Sequence, residues 1–217
     1  MKQYNRVCAR INLDAIAYNM EQMKNRIGQE GRLIAVIKTD AYGHGAVPLA
    51  EMFEETPYIW GYAVACMGEA RTLRAHGIKK PILILGCVFP DEYEEMVEKE
   101  IRAAVYTEEM AKGMADAAAR SGKTAFLHIK IDTGFGRYGF VYNNRDKMVE
   151  TLTKIKNIKI EGAFSHFSIA FFGDGKESKE QYERFMECIK ILKENKIDTG
   201  MLHMCNSSAF LRFPEMH

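Results

Sequence analysis

"PILILG", residues 81–86, decides the fold. Four apolar residues follow one another between a proline and a glycine. A strand with one wet face alternates polar and apolar side chains; this one does not, so it reads as fully buried. Strands covered on both faces belong to parallel sheets with helices packed on either side.

The flanks repeat the theme. Upstream, Val7–Leu13 reads as a first short strand, and Asp14 can cap a helix with the apolar face Ile16, Met20, Met23 and Ile27, stopped by Gly28. Leu33–Lys38 reads as a strand, with Pro48 near the start of the next helix. Tyr58–Val64 is a strand, and Gly68–His76 a helix ended by Gly77. Downstream come a helix over Asp91–Lys99, a strand over Ile101–Tyr106, a helix over Thr107–Ser121 and a strand over Thr124–Ile131. A helix near Arg145–Ile155, a strand over Ile158–His166, a helix over Ser178–Asn195 and a strand over Gly200–Cys205 complete the chain.

This is repeated βα, with no linker or low-complexity tract. An open doubly wound sheet and a closed barrel of eight compete. Consecutive repeats without the long crossover that reverses an open sheet favour the barrel. The expected class is therefore α/β, a (β/α)8 TIM-type barrel that is incomplete. About seven βα repeats fill residues 1–217 as one domain, and an eighth strand would begin where "FPEMH" stops. A complete barrel needs about 250 residues, so the chain reads as a fragment or a truncated gene product. Strands one and seven would then face a gap, which predicts aggregation or pairing with another chain.

Composition narrows the function. Net charge is +1, and no run of five like charges occurs, which argues against a nucleic-acid footprint or a membrane-surface patch. The five cysteines are scattered, without Cys-x-x-Cys spacing, and fit reduced thiols in a cytosol. Neither a signal peptide nor an apolar run long enough to span a membrane is present.

Barrel chemistry sits at the carboxyl ends of the strands. Lys38 ends the first barrel strand, in "AVIKTDAYGHGA". Position alone describes a solvated gatekeeper. A desolvated lysine instead holds some neutral amine, the form that attacks carbonyls. In "HIKIDTGFGRYGF" (128–140), Lys130, Asp132 and Arg137 crowd one strand end; Lys130 alternates with His128 and Asp132 and points inward, where a buried lysine needs a partner or a modification. His166 is either a satisfied core histidine or a ring that stacks on a flat ligand. Asn206, Ser207 and Ser208 read as a helix cap that can also hold a phosphate.

These stretches, with "INLDAIAYNM", "EGAFSHFS" and "HMCNSSAF" in the same order, resemble the signatures of alanine racemase, the barrel domain of the fold-type III pyridoxal-phosphate enzymes. The resemblance implies pyridoxal 5′-phosphate as cofactor, with Lys38 forming the internal aldimine and acting as one of two opposed bases. Tyr42 and Ser207 would bind the phosphate, and Asn206 would line its pocket. Arg137 would bond the phenolic oxygen and face the substrate, and His166 would stack on the ring. Lys130, in a position often carbamylated, would orient Arg137. Leu85 would pack near the cofactor, with Leu83 an equal candidate. It further implies alanine as substrate, D-alanine for cell-wall synthesis, a cytoplasmic homodimer, and no membrane or nucleic-acid partner. The second base, a tyrosine from the partner's C-terminal β domain, and the arginine that contacts the pyridine nitrogen lie outside this chain. Phe135 stands where methionine is common, and Ser165 where threonine is. The other readings are a pyridoxal-phosphate binding protein without turnover, and a racemase for serine or another small amino acid.

Overall fold

The computed structural model describes residues 6–217. Seven parallel strands form one curled sheet in chain order: β1 (Leu33–Val36), β2 (Ile59–Val64), β3 (Ile82–Ile84), β4 (Ile101–Val105), β5 (Ala125–Asp132), β6 (Ile158–Phe164) and β7 (Met201–His203). A two-residue strand, Phe140–Val141, pairs with the end of β5 outside this path. The helices are α1 (Leu13–Ile27), α2 (Ala46–Phe53), α3 (Met67–Ala75), α4 (Tyr93–Glu98), α5 (Glu108–Ser121), α6 (Arg145–Lys154), α7 (Lys176–Glu194) and α8 (Ser207–Arg212). The sheet is an incomplete barrel: among the described residues β1 and β7 each have one neighbour.

The pleat sorts each strand's side chains between two cores. On the helix side, Tyr62, Val64, Ile82, Ile84, Leu127 and Ile129 pack with Phe53, Leu73, Met96, Met114 and Phe185. The opposite face lines the barrel interior in layers that follow the register. Val36, Ala63, Leu83 and Arg102 are successive partners across four strands. Ala104, His128, Gly162 and Met201 form another row, and Lys130, Phe164 and His203 the row above it. Of the two leucines, Leu83 is fully buried in the interior, and Leu85, two residues on and past the end of β3, sits half-buried at the rim.

Two expectations fail near the start. Residues 7–12 form no strand, and Val7 is exposed; a lone extended segment needs a neighbour for its backbone groups, and this one has none among the described residues. The cap of α1 is Asn12, whose Oδ1 accepts from Ala15 N at 3.0 Å, while Asp14 lies in the first turn. Gly28 does end that helix, at φ 75°. Thr107 caps α5 through its side chain, and Gly122 closes it in the left-handed conformation. Among the described residues no helix is long and apolar enough to cross a membrane.

Candidate active site

Lys38 stands just past the end of β1 rather than within it. Ile37 N still donates to Ala63 O of β2, at 2.9 Å. The chain then makes a compact turn over Lys38–Gly43 in which Thr39, Asp40, Ala41 and Tyr42 all have φ between 52° and 56°. Left-handed backbone costs a residue with a Cβ roughly 1–2 kcal/mol, so four in succession is a strained element held from outside. Gly43 and Gly45 continue at φ 88° and 92°. The expected glycine loop is therefore a left-handed turn that begins before the glycines. It leaves Lys38 half-buried and turns Tyr42 outward.

The β5 end is organised by Asp132. Its Oδ1 accepts from Gly134 N (3.0 Å), Phe135 N (2.9 Å) and Gly136 N (3.2 Å), and its Oδ2 from Gly136 N (3.1 Å). That carboxylate folds the loop carrying Arg137. Arg137 itself is exposed, its guanidinium 4.4 Å over the Phe135 ring, with no hydrogen bond or ion pair among the described residues. Lys130 is buried, with its Nζ 5.0 Å over the Phe164 ring and a single long bond, 3.3 Å, to Ile131 O. Burial pushes it down to about 8; Asp132 opposes this and Arg137 adds to it.

His166 lies two residues beyond β6, edge-on to Phe135 at 5.6 Å. Its ring is pulled down to about 4, first by burial, then by Arg137, Lys130 and Lys38. The imidazole is neutral at physiological pH, and three cations from the ends of two strands, Lys38 after β1 and Lys130 and Arg137 of β5 and its loop, lie near enough to act on it. Beyond β7, Asn206 caps α8 through Oδ1, accepting from Ala209 N at 3.0 Å; Ser207 opens that helix and is exposed.

Three supporting groups have no motif to announce them. Behind His166, the buried Gln181 of α7 accepts from Ser168 N (2.9 Å) and donates to Thr133 Oγ1 (3.4 Å), and Thr133 pairs with Ser165 (2.9 Å). Beneath the rim, His128 Nδ1 and His203 Nε2 share one hydrogen bond of 2.8 Å, and the His203 ring stacks on Phe164 at 4.7 Å. Burial holds His128 down to about 3 and His203 well below the usual range. Between α3 and β1, Glu69 bonds backbone amides of two strand ends. In the sequence His128 shows only as a position alternating with Lys130 and Asp132, and His203, Gln181 and Glu69 carry no signal.

The sequence-chosen residues thus gather at one end of the sheet: Lys38, Lys130, Arg137 and His166 share a locality, with Leu85, Asn206 and Ser207 on neighbouring strand ends. The donor set is cationic and donor-rich, and Asp132, the carboxylate that acts on Lys130, is engaged by backbone N–H groups. That chemistry fits a flat, anionic cofactor such as pyridoxal phosphate, whose phosphate and phenolic oxygens both need positive partners.

Fold and rim define a half-barrel domain that presents a cationic site at the carboxyl ends of its strands. Residues 11–217 match the family model "Alanine racemase, N-terminal domain". The chain belongs to the alanine racemase family. It is 40% identical, over its whole length, to an alanine racemase of Clostridium tetani, and 36% identical over 92% of its length to alanine racemase 2 of Caldanaerobacter subterraneus subsp. tengcongensis. The structure resembles alanine racemase of Clostridium difficile 630 in complex with cycloserine, with a TM-score of 0.91 at 33% identity over 95% of the chain. The chain spans 56% and 51% of those two curated relatives and 57% of that structure. A histidine racemase of Leuconostoc mesenteroides subsp. sake shares the fold, with a TM-score of 0.77 at 24% identity.

Proposed function

We propose that this chain is the cofactor-binding barrel domain of a pyridoxal 5′-phosphate-dependent racemase that interconverts L- and D-alanine. The observation that carries the reading is the placement of Lys38, Lys130, Arg137 and His166 at the carboxyl ends of β1, β5 and β6, on one rim of the sheet.

Lys38 would hold the cofactor's aldehyde carbon, and its amine would move a proton at the substrate's Cα from one face. Tyr42, Ser207 and Asn206 would take the phosphate, and Arg137 the phenolic oxygen and the substrate side of the ring. A neutral His166 suits a ring-packing role, since an imidazolium would add a fourth cation to the locality. Leu85 would form the apolar floor at the rim. Lys130, buried beside Arg137 with one long hydrogen bond, gains from carbamylation, because a carbamate turns mutual repulsion with Arg137 into attraction. When bound, the cofactor makes the α-hydrogen acidic by delocalising charge into its ring. The second base, a homodimeric assembly, a cytoplasmic setting and the supply of D-alanine for peptidoglycan belong to the same proposal.

Adding pyridoxal phosphate to the purified chain should produce a visible absorption band, and borohydride should bleach that band while leaving the cofactor covalently attached to Lys38. Lys38→Ala should abolish it. If no band forms with the unaltered chain, the cofactor assignment falls. Assaying the full-length protein on alanine, serine and histidine distinguishes the substrate; inversion of none would favour a carrier without turnover.

A further inference from the structure

Glu69 lies outside every motif, in the first turn of α3. Its carboxylate reaches back over the strand ends. Oε1 accepts from Thr39 N at 2.7 Å, and Oε2 accepts from Ala65 N at 2.7 Å. Thr39 directly follows Lys38, and Ala65 directly follows β2. One side chain therefore pins the end of β1 to the end of β2 at the point where the candidate cofactor lysine leaves the sheet.

The pinned segment is the left-handed turn. Backbone of this kind persists only where its surroundings over-determine it. Its other ties are internal or to its own exit: Ala41 N to Ile37 O (2.9 Å), Gly45 N to Asp40 O (2.9 Å), and Ala46 N to Asp40 Oδ1 (2.7 Å). Among these hydrogen bonds, Glu69 supplies the one that anchors the turn's first strained residue to a different βα unit. Both of its bonds run from a neutral N–H to a carboxylate, the short and strong class.

We infer that Glu69 is the positioning residue for Lys38 and Tyr42: by holding Thr39 N and Ala65 N together it fixes the left-handed turn, and so the points at which both side chains enter the rim. The functional half of this inference rests on the assignment of Lys38 to the cofactor; the conformational half does not.

The test compares the unaltered chain with Glu69→Ala and Glu69→Gln. Glutamine keeps the shape and one acceptor but replaces the other with a donor, and circular dichroism reports that each variant is folded. Amide hydrogen exchange is read first, without cofactor. Residues 37–45 should exchange roughly tenfold faster or more in Glu69→Ala, with β4 and β5 unchanged. Unchanged exchange over 37–45 overturns the inference, whatever the cofactor does. Pyridoxal phosphate is then titrated by its visible band. Glu69→Ala should bind about tenfold more weakly, and Thr39→Gly in that background should recover part of the loss, because glycine holds φ near 55° without a Cβ clash. Loosened exchange with undiminished uptake, or no recovery on Thr39→Gly, refutes the positioning role. A wild-type chain that takes up no cofactor sinks the cofactor reading instead, and the exchange result still decides what Glu69 holds.

Discussion

Mild acid should destabilise this fold through its interior histidine pair, the buried His128 and the half-buried His203. His128 and His203 share one hydrogen bond 2.8 Å long, so only one of the facing nitrogens can carry a proton. Charging both rings would set two N–H groups against each other in an interior that already holds the cations of Arg102 and Lys130. The folded state therefore keeps His128 down to about 3 and His203 well below 6.5, against an unfolded value near 6.5. The sign follows from linkage. A group depressed by folding costs nothing above its unfolded pKa, and its penalty grows as pH falls from there toward the folded value. Between pH 7.5 and 5.5 each such histidine subtracts on the order of 1 kcal/mol, and the pair together a few. His166 is held down to about 4 but is less buried, so solvent screening leaves it a smaller share. Typical carboxylates stay ionised in this window, so histidines dominate it. Urea unfolding followed by circular dichroism at pH 7.5, 6.5 and 5.5 measures the slope, and His128→Asn with His203→Asn should remove most of it. Flat stability across this range, or the same slope in the double variant, would refute the reasoning.

Two further outcomes follow from interior packing. Gly162→Ala would place a Cβ 2.5 Å from His128 Nδ1 and 3.1 Å from Met201 Cγ. It should cost about 1–3 kcal/mol by overpacking, visible as a lower urea midpoint and a shallower acid slope. Glu161→Gln should cost about 3 kcal/mol, because Arg102, paired to Glu161 at 2.8 Å and only 9% exposed, keeps a buried charge without its counter-ion. Unchanged midpoints would show that the pair is hydrated in solution.

Much of the architecture could be read along the chain because its signals are local. "PILILG" has no wet face wherever it sits, and Gly28 and Gly122 stop helices through backbone freedom they carry themselves. The failures came where pairing decides. Val7–Leu13 has strand-like composition and no strand beside it. Asn12 captured the cap because its Oδ1, and not that of Asp14, meets a free N–H three residues on.

The site divides in the same way. Lys38, Lys130, Arg137 and His166 stood out because charged or titratable groups at the ends of apolar strands violate the local pattern, and a barrel sends all such ends to one rim. The sequence alone therefore determined the order of elements from β1 onward, and the charged residues that stand at the strand ends. Only the tertiary structure showed that β3 ends at Ile84, so that Leu83 is buried in the interior while Leu85, on the same face, stands at the rim. Only the structure showed that His128 and His203 meet, or that Glu69 grips a turn wound left-handed through four residues with side chains. Those facts depend on groups 75 and 30 residues apart closing hydrogen bonds across strands, and a contact of that range leaves no periodicity in the chain that forms it.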